Sequence, residues 1–230
     1  MFGSSIGIRL QPVILACRVR PKTMQTYVLN LICHSGGAEG ADLHFDKVGR
    51  EYGVETVHFS YRTNLHEHLA NKREISKEEF EEGKKKVLEA NAILKRPLAK
   101  YMNLVSRNYA IIKDVKLVLA VGKKILKKGT RSNPSNYDVI MGGTGVAVLM
   151  ACLEPGKKVF VFDQSTNQWF DWSANQNAFR EYPGTPVINE STFAGIGTRE
   201  LSDAGKEAIR KVFVKTAIWM EKKQGGPENS

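Results

Sequence analysis

Three short glycine-rich segments carry the residues that could hold an anion. The first is His34-Ser35-Gly36-Gly37-Ala38-Glu39-Gly40-Ala41-Asp42, preceded by the apolar run Tyr27 to Cys33 and followed by a helical pattern at Leu43, Phe45, Val48 and Tyr52. The second is Gly142-Gly143-Thr144-Gly145, and the third is Gly195-Ile196-Gly197-Thr198-Arg199. Glycine lets backbone N–H groups approach an oxyanion closely, and the first turn of a following helix adds unpaired donors and a positive dipole end. Each segment alone also fits a plain strand-to-helix turn. Together they point to one nucleotide-sized site at the ends of a parallel sheet. Ser35 and Thr144 offer hydroxyls, Arg107 and Arg199 offer charge-assisted bonds to phosphate, and Asp42 either holds a ribose hydroxyl or caps its own helix. Glu39 has to point away from a phosphate or bind a metal.

The elements that position these residues alternate. Strands are expected at 27–34, 54–61, 115–121, 159–163 and 191–196, with a short one at 187–188. Helices are expected at 38–52, 76–94, 99–113 and 145–154, with a last one capped by Ser202. Ser76 with Glu79 makes a capping box. The buried face of the last helix is Ala208, Ile209, Val212, Phe213, Thr216 and Met220. This order predicts an α/β fold, a Rossmann-like doubly wound sheet, mainly parallel and flanked by helices. Residues 24–221 form the one expected domain, 1–23 an extension and 222–230 a polar tail. The segment 123–138 reads as a long basic loop. The segment 164–181, with Asn167, Gln168, Trp169 and Trp172, reads equally as a packing corner or as a wall for stacking a base.

The chain has 230 residues, 42% of them hydrophobic, and a formal net charge of +10. Length and hydrophobic content suit a packed core, and the charge favours anionic ligands. Lys84 to Lys86 sit beside Glu78, Glu79, Glu81 and Glu82 and read as a solvated helix face. Lys123, Lys124, Lys127 and Lys128 have no acidic neighbours in sequence and are the better candidates for phosphate contact. Nucleic acid is the weaker partner class, because 123–136 lacks interleaved aromatics. Cys17, Cys33 and Cys152 make no disulfide or zinc pattern, which fits a reducing compartment. His66 and His68 make no familiar metal motif, and no metal or cofactor is expected. No stretch has the roughly 20 apolar residues that span a membrane. A cytoplasmic protein is expected. Residues 1–23, basic and free of acidic residues, read either as an organelle-targeting leader or as an accessory extension before Met24.

Ser35 to Asp42 resembles the SGGAxGAD motif of the SLOG superfamily, Rossmann-like proteins that include the LOG enzymes and the DprA DNA-processing proteins. Phe193-Ala194-Gly195-Ile196-Gly197-Thr198-Arg199-Glu200 is similar to the FAGIGSRE segment of phage members. In those relatives that segment comes first, so the resemblance implies a circular permutation here. The LOG enzymes hydrolyse the bond between a base and ribose 5′-phosphate. They carry an arginine-bearing helix, a strand and PGGxGTxxE, a layout matched by Arg107, 115–121 and Gly142 to Gly145. Val146 and Leu149 depart from it, and Leu149 stands where the catalytic glutamate belongs. A leucine cannot stabilise an oxocarbenium ion or position water. The resemblance therefore implies binding of a nucleotide or nucleotide-derived small molecule more than that hydrolysis. A nucleotide-processing hydrolase would need a carboxylate from Asp138, Asp163 or Glu200. The resemblance also implies a homo-oligomer, a dimer, with the apolar faces of 101–113 and 145–154 as candidate contacts.

Overall fold

A computed structural model describes residues 28–63 and 69–224. Residues 1–23, with Cys17, and the pair His66 and His68 lie outside the described residues, as do 225–230. In chain order the elements are β1 (Ile32–Ser35), α1 (Ala41–Glu51), β2 (Glu55–Ser60), β3 (Lys72–Glu74), α2 (Lys77–Leu94), a 3-10 turn (Ala99–Tyr101) and α3 (Met102–Ile112). There follow β4 (Leu117–Gly122), β5 (Ile125–Leu126), β6 (Val139–Ile140), α4 (Thr144–Leu153), β7 (Lys158–Asp163), β8 (Gln168–Ser173), β9 (Ala178–Glu181), β10 (Thr192–Gly197) and α5 (Asp203–Gln224).

The main sheet has eight strands in the order β3-β2-β1-β10-β4-β7-β8-β9. From β3 to β7 every pairing is parallel, and β8 and β9 add an antiparallel hairpin at one edge. This is the expected α/β, Rossmann-like arrangement. β4 is buried at every residue, as a strand covered on both faces must be. One apolar core lies between the sheet and α2, α3 and α4, and includes Val118, Ala120 and Ala194. The opposite core holds Cys33, Leu117, Leu119 and Phe193 with Phe45 of α1 and Phe213 of α5. The alternation Leu117/Val118/Leu119/Ala120 between the two cores is the two-residue period of a strand.

The capping box at α2 is present: Glu79 N–H donates to the Ser76 hydroxyl at 3.1 Å and Ser76 N–H to the Glu79 carboxylate at 3.0 Å. Several expectations are corrected. β1 is shorter than 27–34, because Leu29 N–H donates to Tyr52 O at 2.9 Å and packs the entry segment on the turn after α1. The segment 123–138 is held by β5, which pairs with β6, and by the buried Asp138. Asp138 accepts from Lys128 N–H at 2.9 Å, Phe179 N–H at 3.0 Å and Lys127 Nζ at 3.0 Å. The segment 164–181 is the β8–β9 hairpin. Trp169 packs edge-on against Phe162 in one core, and Trp172 packs against Phe179 beside the other. Residues 187–188 are not a strand: Ile188 is buried and its N–H donates to the Thr216 hydroxyl of α5 at 2.9 Å. α5 runs through 222 and 223, so the expected polar tail begins inside a helix. α4 is buried from Gly145 to Cys152 beneath α2 and α3, and offers no face to a second subunit.

One lysine closes the end of α3. Lys157 Nζ donates to the carbonyls of Ile112, Lys113 and Val115 at 2.7, 2.9 and 2.7 Å. The carbonyls of Ile112 and Lys113 are ones that a helix end leaves without an intrahelical partner, at the negative end of its dipole, and that of Val115 belongs to the turn that follows. Replacing Lys157 with Met keeps the stem and removes the donors. It is expected to lower stability by about 1–3 kcal/mol in urea unfolding; an unchanged midpoint would show the cap to be dispensable.

Candidate functional site

The first glycine turn is assembled from behind. The Ser35 hydroxyl donates to Gly195 O at 2.9 Å and ties the end of β1 to β10. Arg107 on α3 is 3% exposed, and its Nη1 donates to Gly36 O at 2.7 Å and Phe59 O at 2.8 Å. Gly36 lies between that guanidinium and Asp42: a Cβ here would sit 2.5 Å from Arg107 Nη1 and 2.5 Å from Asp42 Oδ2. Gly40 has φ +92°, and a Cβ on it would collide with the carbonyls of Thr198 and Arg199. Ala41 N–H donates to Thr198 O at 3.0 Å. The first and third turns therefore dock backbone to backbone, which only glycine permits at position 40.

Asp42 completes that junction. Its Oδ1 accepts from Gly197 N–H at 2.9 Å and its Oδ2 from Ala38 N–H at 3.4 Å. It is 7% exposed. Burial pushes its carboxyl up to about 6, against the pull of Arg107, the N–H groups of Gly197 and Ala38, and His58.

The second turn is open. Gly142 has φ +85°, and nothing lies within 4 Å of a Cβ placed on Gly142 or Gly143. Thr144 starts α4. Gly145 packs on the Ile140 carbonyl. The turn is clamped from below by Arg96, whose Nη1 donates to Gly142 O at 2.6 Å and whose Nη2 donates to Ile140 O at 2.8 Å. Asn91 fixes the backbone of Arg96 with two bonds of 3.0 Å, one to its N–H and one to its carbonyl. Burial lowers the pKa of Arg96, yet a guanidinium keeps its charge near neutrality.

All three turns border one cleft of about 680 Å³. Of the residues expected to bind, Asp42, Arg107, Gly142, Gly143, Thr144, Gly197, Thr198 and Arg199 reach its wall. Ser35, Gly36, Gly37, Gly40, Gly145 and Gly195 do not. They shape the backbone instead: Gly37, at φ +67°, lies beneath Leu69 and beside His58, and Gly195 packs on Phe45 and Cys33. α3 and the 3-10 turn before it supply an apolar side, with Leu104 and Tyr101 at its exposed rim, and Met141, exposed just before the second turn, also lines the cleft. Asp42 is the one carboxylate on the wall among the described residues. Glu39 is exposed and does not line the cleft. Leu149 is buried in the core, while Val146 reaches the wall.

The three alternative carboxylates are otherwise engaged. Asp138 organises the basic segment, as described above. Asp163 is buried, and accepts from Ile125 N–H at 2.8 Å and from the Ser165 hydroxyl at 2.7 Å. Glu200 pairs with Lys123 at 2.6 Å. Two lysines of that segment have acidic partners: Lys123 pairs with Glu200, and Lys127 pairs with Asp138 of the segment itself and covers the Phe170 ring. Asn167, Gln168 and Trp169 line a different cleft, of about 660 Å³, beside Tyr182 and α5. Among the described residues no group of three His, Cys, Asp or Glu side chains could hold a metal ion, and no helix is long and apolar enough to cross a membrane. Lys123, a candidate for phosphate contact from the sequence, reaches the wall, and so does Arg96, which the sequence does not single out. Arg96 follows the left-handed helix-ending residue Lys95, at φ +51°, and nothing in its local sequence marks it.

Comparison with family models, curated proteins and solved structures finds no match in any of the three.

The raised carboxyl of Asp42 has a definite sign in stability. Its folded pKa, about 6, lies above the ordinary value of 3.8 for an aspartate, so the ionised form opposes folding, and that cost develops as pH rises from 4 to 7. Measured by urea unfolding, Asp42→Asn should gain roughly 3 kcal/mol relative to the unmodified chain over that interval. A difference independent of pH would show that Asp42 ionises as freely in the folded chain as in the unfolded one.

Proposed function

We propose that this cleft binds a nucleotide or nucleotide-derived small molecule. The observation that carries the reading is the convergence of residues from three glycine turns on one cleft with an apolar side, where the second turn, at the N-terminus of α4, has open space around Gly142 and Gly143. Anionic groups suit that turn, with the dipole end of α4 and the Arg96 guanidinium close by. The apolar side formed by Tyr101, Leu104, Val105 and Met141 suits a flat heterocycle, and its exposed rim suits a ligand better than empty solvent. The resemblance of two of the turns to SLOG motifs supports the same class of ligand. A hydrolase on this site would have Asp42 as its carboxylate, since Leu149 is in the core and Asp138 and Asp163 are taken by backbone donors. Binding is therefore the better-supported reading. A diffusible ligand of this kind fits action in the cytoplasm, or in an organelle if residues 1–23 are a leader. If the chain dimerises, the α3 rim is the part of the expected contact surface that remains.

The test uses a position that can be changed without cost to the fold. Gly143 has φ −61° and ψ −36°, with open space around it. Gly143→Asp is expected to leave the melting temperature within about 2 °C, as an exposed substitution does. Titration calorimetry with ribonucleoside mono- and diphosphates should show the affinity of the unmodified chain falling about tenfold or more in this variant, through like-charge repulsion. Equal affinity in the two proteins, or no binding of any nucleotide by either, would overturn the reading.

A further inference from the structure

The first turn does not present itself as a phosphate cradle. The N–H groups of Ala38 and Gly197, which would meet an anion arriving at the first and third turns, are already given to the Asp42 carboxylate, at 3.4 and 2.9 Å. Gly36 is enclosed between Arg107 and Asp42, Gly37 is covered by Leu69, and Gly40 is pressed on the third turn. The carboxylate stands where a bound anion would otherwise lie. It is fixed there by two backbone donors and the Arg107 charge, and it forms part of the cleft wall.

An ionised carboxylate accepts about four hydrogen bonds and donates none. Two of those positions are filled by Ala38 and Gly197, and among the described residues no other hydrogen bond to the carboxylate is formed. A phosphate brought to this point meets a like charge, whereas a hydroxyl finds an acceptor. Two neighbouring hydroxyls can engage the two carboxylate oxygens together. The anionic part of the ligand is left to the open second turn, whose Gly143 and Thr144 line the same cleft as Asp42.

We propose that Asp42 is the specificity-determining residue of the cleft: it excludes phosphate from the first turn, selects a ligand carrying a vicinal diol, and so fixes which way the ligand lies. This rests on the nucleotide reading above and deepens it. A buried acceptor whose donor partner is deleted from the ligand loses a charge-assisted bond, and sites of this type discriminate strongly against such analogues.

The experiment is titration calorimetry at pH 7.5 with the four ribonucleoside 5′-monophosphates and their 2′-deoxy and 3′-deoxy counterparts. It uses the unmodified chain and Asp42→Asn, each checked for folding by thermal melting. The ribonucleotide that binds is expected to do so about tenfold or more tighter than both deoxy forms. That preference should shrink below about threefold in Asp42→Asn, because an amide presents only one acceptor oxygen. Equal binding of ribo- and deoxynucleotides by the unmodified chain would overturn the inference and leave the nucleotide reading standing, and this comparison needs no variant. A preference retained in folded Asp42→Asn would also overturn it. Absence of binding by every compound would remove the nucleotide reading and the inference together.

Discussion

The structure depends on the junction between two glycine turns from distant parts of the chain, made by one carboxylate and one close backbone approach. Asp42 takes N–H groups from Ala38 and Gly197, while Gly40 lies against the carbonyls of Thr198 and Arg199. This joins the start of α1 to the end of β10. It also fixes the centre of the sheet, because β10 is inserted between β1 and β4. A Cβ at position 36 or 40 would separate parts that must touch. The junction has a cost that its surroundings sustain: a charge is held in a buried place, and its carboxyl is pushed up to about 6 as a result. Strain of that kind is found where a group has a task beyond folding.

The cations show how a net charge of +10 can mislead. Arg107 and Arg96 are used as braces, each donating to two backbone carbonyls near a glycine turn. Lys157 caps a helix, Lys127 holds Asp138, and Lys123 pairs with Glu200. Each of these side chains satisfies a group within the fold, and no continuous basic stripe results from them. The guanidinium suits the bracing role, because its fixed fork reaches two carbonyls at once and carries its charge into a partly buried place. The braces also govern the site. By holding the carbonyls of Gly142 and Ile140, Arg96 leaves the first turn of α4 directed at the cleft.

Much of this was legible in the sequence. The strand–turn–helix order at 27–52, the capping box at Ser76 and the apolar period of the last helix follow from local rules, and local rules hold where burial and propensity agree. The three glycine turns were legible as turns, and their convergence followed from the parallel sheet. Their division of labour was not legible. Gly40 and Gly143 look alike in sequence, yet one is closed against Thr198 and the other faces open space, a difference set by contacts about 160 positions apart. For the same reason the sequence could not show that Lys123 meets Glu200. The hairpin at 168–181 was obscured by its mixed polarity: an edge hairpin, unlike β4, does not present a continuous apolar run. Arg96 is a basic residue past a helix end, and only the fold gives it a role.

Closure of the first turn by Asp42 leaves anions to the second turn. Amide chemical shifts in a titration with inorganic phosphate and pyrophosphate test it most directly, since these probes carry no sugar or base. Saturable shifts are expected at the amides of Gly143 and Thr144, with those of Ala38 and Gly197 unmoved because they remain bonded to the carboxylate. Saturable shifts at Ala38 and Gly197, with Gly143 and Thr144 unaffected, would contradict it and return the first turn to the role of a phosphate cradle.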